Sequence, residues 1–165
     1  MLSAGTRPRQ SPAAGYTLSI YLKEFFGQQA AAWDTRVLAT DISHQALDKA
    51  MAGIYPKPAD MPDSWVRRYF RPAGQAGEYQ VSRAIRDNVI FRVFNLMDPI
   101  RFRVKFDVIF CRNVMIYFDQ PTRDALVRRF ADATVPGGWL FISHSESLGQ
   151  NSPYSLVAPA VYRKK

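Results

Sequence analysis

The chain has 165 residues, 22 Lys and Arg against 14 Asp and Glu, a formal net charge of +8 and a single cysteine. That length suits one domain with a real hydrophobic core. The lone Cys111 excludes an internal disulfide, the lack of any apolar run of ~20 residues excludes a spanning helix, and the first residues lack the apolar stretch of a secretory signal, so a cytoplasmic protein is expected.

The segment 1–15, rich in Pro, Ala, Gly and Arg, reads as an irregular tail. Over 16–28 the spacing of Leu18, Tyr21, Leu22, Phe25 and Phe26 predicts a helix ending near Gly27. A short strand over 36–40 ends at Asp41, and Ser43 is placed to cap a helix that stops at Gly53. Pro56, Pro58 and Pro62 mark a rigid connector before a short helix over 63–70. The segments 78–83 and 89–94 alternate around Arg86-Asp87-Asn88 and predict an antiparallel hairpin.

The run FDVIFCRNVMIYFD (106–119) is a continuous apolar strand that stops at Arg112-Asn113. Such a strand without alternation belongs in a parallel sheet covered by helices. Asp119 and Pro121 open a helix carrying Leu126, Val127, Phe130 and Ala131, and Pro136-Gly137-Gly138 is expected to end it. Strands over 139–143 and 155–162 complete an α/β chain with mostly parallel pairing; Pro159 within the last suggests an edge or a bulge.

Open α/β sheets bind ligands at the carboxyl ends of their strands. Asp41, directly after VLAT, suits the two hydroxyls of a ribose, and equally suits a helix cap. Asn95 in FRVFNL and Asn113 present donor and acceptor together, as an adenine edge requires, though asparagine also commonly ends strands. Tyr117 can offer its hydroxyl to a ligand or serve as an amphipathic core aromatic. His144 in ISHSES, flanked by Ser143, Ser145 and Glu146, has no second histidine or cysteine at metal-ligand spacing, so no metal site is expected. No G-x-S-x-G elbow supports a Ser-His-Asp arrangement. Cys111 reads as a small buried apolar residue.

Basic residues are concentrated between 65 and 105, where nine (Arg67, Arg68, Arg71, Arg83, Arg86, Arg92, Arg101, Arg103 and Lys105) face three acidic ones. The excess invites an acidic partner or nucleic acid, or is a solvated face.

FDVIFCRNVMIYFD followed by GGWLFISHSESL (137–148) closely resembles the CheR family of chemotaxis receptor glutamate O-methyltransferases, which use S-adenosyl-L-methionine. The match continues through WDTRVLATDISHQALDKAMAGIY (33–55), VFNL (93–96) and VAPAVYRK (157–164), covering about 16–165. The resemblance implies a Rossmann-like class I methyltransferase sheet with a small antiparallel β-subdomain inserted at about 69–94. It implies Asp41, Asn95, Leu96, Arg112 and Asn113 as cofactor-binding residues, with Arg112 and Tyr117 at the transfer site. The implied partners of this monomer are receptor cytoplasmic helices and, by strand addition to the subdomain, the receptor's C-terminal tail.

Measured against the family pattern, the chain reads as a catalytic domain truncated at its amino end. TRPRQSPAAG (6–15) stands where the family has an acidic, glycine-rich cofactor loop, and the first strand is nearly absent. Arg7 and Arg9 there would repel a sulfonium and an ammonium, so weakened cofactor binding is expected. The altered loop also fits a non-catalytic module that binds receptor tails. A nucleic-acid methyltransferase, prompted by the charge, lacks an N-P-P-[YF] motif.

Overall fold

The computed structural model describes residues 2–4, 13–58, 61–74 and 76–165. From the amino end its elements are β1 (Leu2–Ala4), α1 (Ala13–Phe26), β2 (Val37–Asp41), α2 (His44–Ala52), β3 (Ile54–Pro56), α3 (Asp63–Tyr69), β4 (Phe70–Pro72) and β5 (Glu78–Val81). Then come α4 (Arg83–Arg86), β6 (Val89–Val93), β7 (Phe106–Cys111), α5 (Gln120–Ala133), β8 (Thr134–Phe141), β9 (Tyr154–Ala158) and β10 (Val161–Lys164). The described residues divide into two units, one of 2–4, 40–42 and 94–165, the other of 13–39 and 43–93.

In the first unit the strand order is β2, β1, β7, β8, β10, β9, with β2 contributing its last two residues. β1 pairs in parallel with β7, Leu2 opposite Ile109 and Ala4 opposite Cys111, and β7 pairs in parallel with β8. Where a nearly absent first strand was expected, three residues form a short central strand, and α1 already begins at Ala13 within the segment expected to be irregular. Residues 5–12, Arg7 and Arg9 included, lie outside the described residues, and with them the expected change to the cofactor loop.

Helix α5 starts where its sequence says it should. Asp119 Oδ1 accepts from the Thr122 N–H at 3.0 Å, with proline in the first turn. Its face of Leu126, Val127, Phe130 and Ala131 is buried, each large side chain worth about 1.5–3 kcal/mol in apolar burial. The helix ends at Ala133 without the Pro-Gly-Gly stop, which belongs to β8 instead. Lys164 Nζ closes the helix end by donating to the carbonyls of Ala131 (2.6 Å) and Thr134 (2.8 Å). Phe106 opposes Thr134 while Val108 opposes Trp139, so Pro136-Gly137-Gly138 is taken up by a register shift.

The expected single strand over 155–162 is two strands. β9 and β10 pair antiparallel around Pro159-Ala160, with Ala160 in the left-handed region at φ 64°. The proline occupies the turn of a hairpin, and β9 is the sheet's edge.

In the second unit β6 lies beside β2, and the Val37 N–H donates to the Asn88 carbonyl at 3.0 Å. Helix α1 begins at Ala13 and brings Gly15 against Val37, Ala39 and Val89, where an added Cβ would lie 3.2 Å from Val89 Cγ1. The buried Tyr16 hydroxyl donates to the Ala50 carbonyl at 2.8 Å, near the end of α2. That helix is capped as its sequence predicts, Ser43 Oγ accepting from Ala46 N at 3.2 Å and Gly53 closing it at φ 64°.

A separate antiparallel sheet has the order β3, β5, β4. The predicted hairpin of 78–83 with 89–94 does not form. Ser82 accepts from Ile85 N (3.1 Å) and Arg86 N (3.0 Å), winding α4 and sending β6 to β2 while β5 pairs with β3 and β4. The small sheet thus spans 54–81, earlier than the expected 69–94.

Candidate functional site

Asp41, Asn95, Leu96, Arg112, Asn113, Tyr117 and His144 all lie in the first unit. Asp41 closes β2, half-buried, and its backbone carbonyl accepts from the Phe94 N–H at 3.0 Å. This bond fixes the start of the turn that carries Asn95 and Leu96 directly beside the end of β2. Asn95 Oδ1 accepts from Met97 N (3.0 Å) and its carbonyl from Asp98 N (2.9 Å), while Leu96 is buried beneath. Arg129 of α5 donates to the Met97 carbonyl at 2.6 Å and anchors the turn.

The second group follows β7. Cys111 is fully buried and its thiol is pushed above its ordinary range by burial, and further by the nearby Glu146. Arg112 and Asn113 are exposed at the strand's end. Asn113 sits at φ 57°, a left-handed conformation that asparagine tolerates better than most residues. Met115–Tyr117 forms a 3-10 turn that buries Met115 and leaves Ile116 and Tyr117 exposed, Tyr117 at 55%. A core role for the Tyr117 ring is thereby corrected.

Asp41 and Asn95 are thus joined through backbone, while Arg112, Asn113 and Tyr117 share one loop. The strands bearing the two groups, β2 and β7, are the two neighbours of β1. His144 is exposed, and no cluster of three or more His, Cys, Asp or Glu able to hold a metal occurs among the described residues.

Sequence reasoning undervalued Ser143 and Glu146, which are 3% and 7% exposed. Glu146 Oε2 accepts from Ser143 N at 2.9 Å and its Oε1 from Ile116 N at 3.0 Å. Ser143 Oγ accepts from Asn113 N at 2.6 Å and donates to Asn113 Oδ1 at 2.6 Å. The signal was present: Ser-x-x-Glu is a helix capping box. Here the glutamate returns to the serine N–H as in that box, yet no helix follows; the serine hydroxyl and second carboxylate oxygen are turned onto the 113–116 loop. Beside it, between α5 and the 146–153 segment, lies a cleft of about 310 Å³ lined by Met115, Arg123, Asp124, Glu146, Leu148 and Pro153 among others.

Residues 12–161 match the family model described as CheR methyltransferase, SAM binding domain. A chemotaxis protein methyltransferase of Borreliella burgdorferi is 37% identical over 165 residues, covering 98% of this chain and 57% of the relative. One from Escherichia coli is 37% identical over 154 residues, covering 89% of this chain and 53% of the relative. The chain therefore spans a little over half the length of these relatives. Among solved structures, PKMT2 from Rickettsia typhi in complex with AdoHcy is 16% identical with a TM-score of 0.45, covering 86% of this chain and 20% of that one.

Proposed function

This chain belongs to the CheR methyltransferase family, and we propose that it transfers a methyl group from S-adenosyl-L-methionine to glutamate side chains of chemotaxis receptors. The observation that carries this reading is the backbone bond from Phe94 to Asp41, which ties a strand-end carboxylate to the Asn95-Leu96 turn. That donor set fits the adenosine part of the cofactor. A half-buried carboxylate can accept from both ribose hydroxyls, an amide suits the adenine edge, and Leu96 provides an apolar wall. Arg112 and Asn113, exposed at the end of β7, would complete the pocket, and Tyr117, 55% exposed, would meet the incoming substrate.

The bound cofactor supplies an activated methyl on a sulfonium. Little further chemistry is asked of the protein: a glutamate acceptor, with an unperturbed pKa of about 4.3, is already a nucleophile at neutral pH and requires no general base. The chain's residues contribute alignment and exclusion of water. Receptor cytoplasmic helices, acidic where they are methylated, suit the net charge of +8. A receptor tail would add as a strand to β3 or β4, the two edges of the small sheet. The protein acts as a cytoplasmic monomer in this reading; no helix among the described residues is long and apolar enough to cross a membrane.

Calorimetry with S-adenosylhomocysteine tests the proposal. Saturable binding that weakens about tenfold or more in Asp41→Asn is expected, since a charge-assisted bond is lost. Absence of binding by the unaltered chain, together with binding of a receptor-tail peptide, would replace the enzyme with the tail-binding module that the Arg7 and Arg9 loop also fits.

A further inference from the structure

We propose that Glu146, acting with Ser143, is a positioning residue for methyl transfer: it holds the loop bearing Arg112, Asn113 and Tyr117 in its working geometry. The inference rests on the methyltransferase reading above. A carboxylate 7% exposed is costly unless its oxygens are used, and both oxygens here meet backbone N–H groups. The two donors lie far apart in sequence, Ser143 after β8 and Ile116 within the loop after β7. One side chain therefore ties together the ends of two adjacent parallel strands.

Ser143 supplies the second tie. Its hydroxyl accepts from the Asn113 N–H and donates to the Asn113 side chain, both at 2.6 Å, and so holds the left-handed backbone at φ 57°. A non-glycine residue there is disfavoured, so it persists where surrounding bonds over-determine it. Between these anchored points, Ile116 and Tyr117 are presented outward. The side-chain bonds of Glu146 run to the loop and to its own serine.

Only a carboxylate satisfies both amides. Glutamine is nearly isosteric, but its NH2 group would face one N–H donor and release it. Glu146→Gln and Ser143→Ala are to be compared with the unaltered full chain in three measurements: methyl transfer to a receptor cytoplasmic domain, thermal unfolding, and amide hydrogen exchange at Asn113 and Ile116. The expected result for Glu146→Gln is a fall in kcat of about tenfold or more, a receptor KM changed less than about twofold, and faster exchange at Ile116. Ser143→Ala should speed exchange at Asn113, and Glu146→Asp, which keeps both oxygens, should recover part of the kcat.

Unchanged kcat and unchanged Ile116 exchange in Glu146→Gln overturn the inference. So does an equal fall in all activity that simply tracks the loss of folded protein. If the unaltered chain transfers no methyl group, the functional reading fails and the positioning role with it, while the exchange rates still report whether the tether exists.

Discussion

Two buried tyrosines show how single side chains set the response to pH. Tyr16 and Tyr154 each have a hydroxyl pushed up to about 12, chiefly by burial, with Tyr16 donating to Ala50 and Tyr154 sharing a bond with Thr134 at 2.8 Å. Below pH 10 these groups are protonated whether folded or unfolded and impose no pH dependence. Between about 10 and 12 the unfolded chain loses the proton while the folded one keeps it, so stability falls as pH rises through that window. Urea midpoints measured from pH 9 upward should drop, and Tyr154→Phe should flatten the drop. An unaltered profile in that variant would remove Tyr154 from the account. Asp41 and Arg112 announce themselves as charges after apolar strands. Glu146 looked like a polar neighbour of His144, because which backbone amides a carboxylate meets depends on residues 30 positions away.

At the scale of elements, local rules worked where the determining atoms are close in sequence. Ser43, Gly53 and Asp119 cap or close helices as predicted because their partners lie within a turn. Pro136-Gly137-Gly138 failed as a helix stop because Thr134 already turns extended, its hydroxyl donating to the Phe130 carbonyl at 2.6 Å. The glycines have a different use. A Cβ at Gly138 would lie 2.6 Å from Thr134 Cγ2 and 2.9 Å from the Asp107 carbonyl oxygen, so the backbone of β8 must move to admit one. Gly138→Ala should therefore destabilise the protein by about 1–3 kcal/mol, read from chemical denaturation; a loss near zero would show that the bulge relaxes freely.

On the whole-molecule scale, charge is the property that bears on partners. The basic residues expected at the surface are largely there: Arg67, Arg71, Arg92, Arg101, Arg103 and Lys105 are exposed. Arg68 and Arg83 are exposed as well but ion-paired, Arg68 to Glu24 at 2.7 Å and Arg83 to Asp87 at 3.3 Å. If the remaining charge steers an acidic receptor helix, the receptor KM should rise as salt is raised from 50 to 500 mM, since the Debye length shrinks from about 14 to 4 Å. A KM insensitive to salt would reduce that charge to solvation.

Local pattern was enough for the class of fold, the buried strand before Arg112, the capped helices and the family, since each follows from neighbouring residues or from motifs in fixed order. Tertiary structure alone decided which strands pair: that three residues make a central β1, that β6 joins β2 and leaves β5 to the small sheet, and that Pro159 turns a hairpin. It also decided the work of Glu146. Alternation tells a strand which face to bury and says nothing of its neighbour, and a carboxylate carries no mark of the distant amides that will meet it.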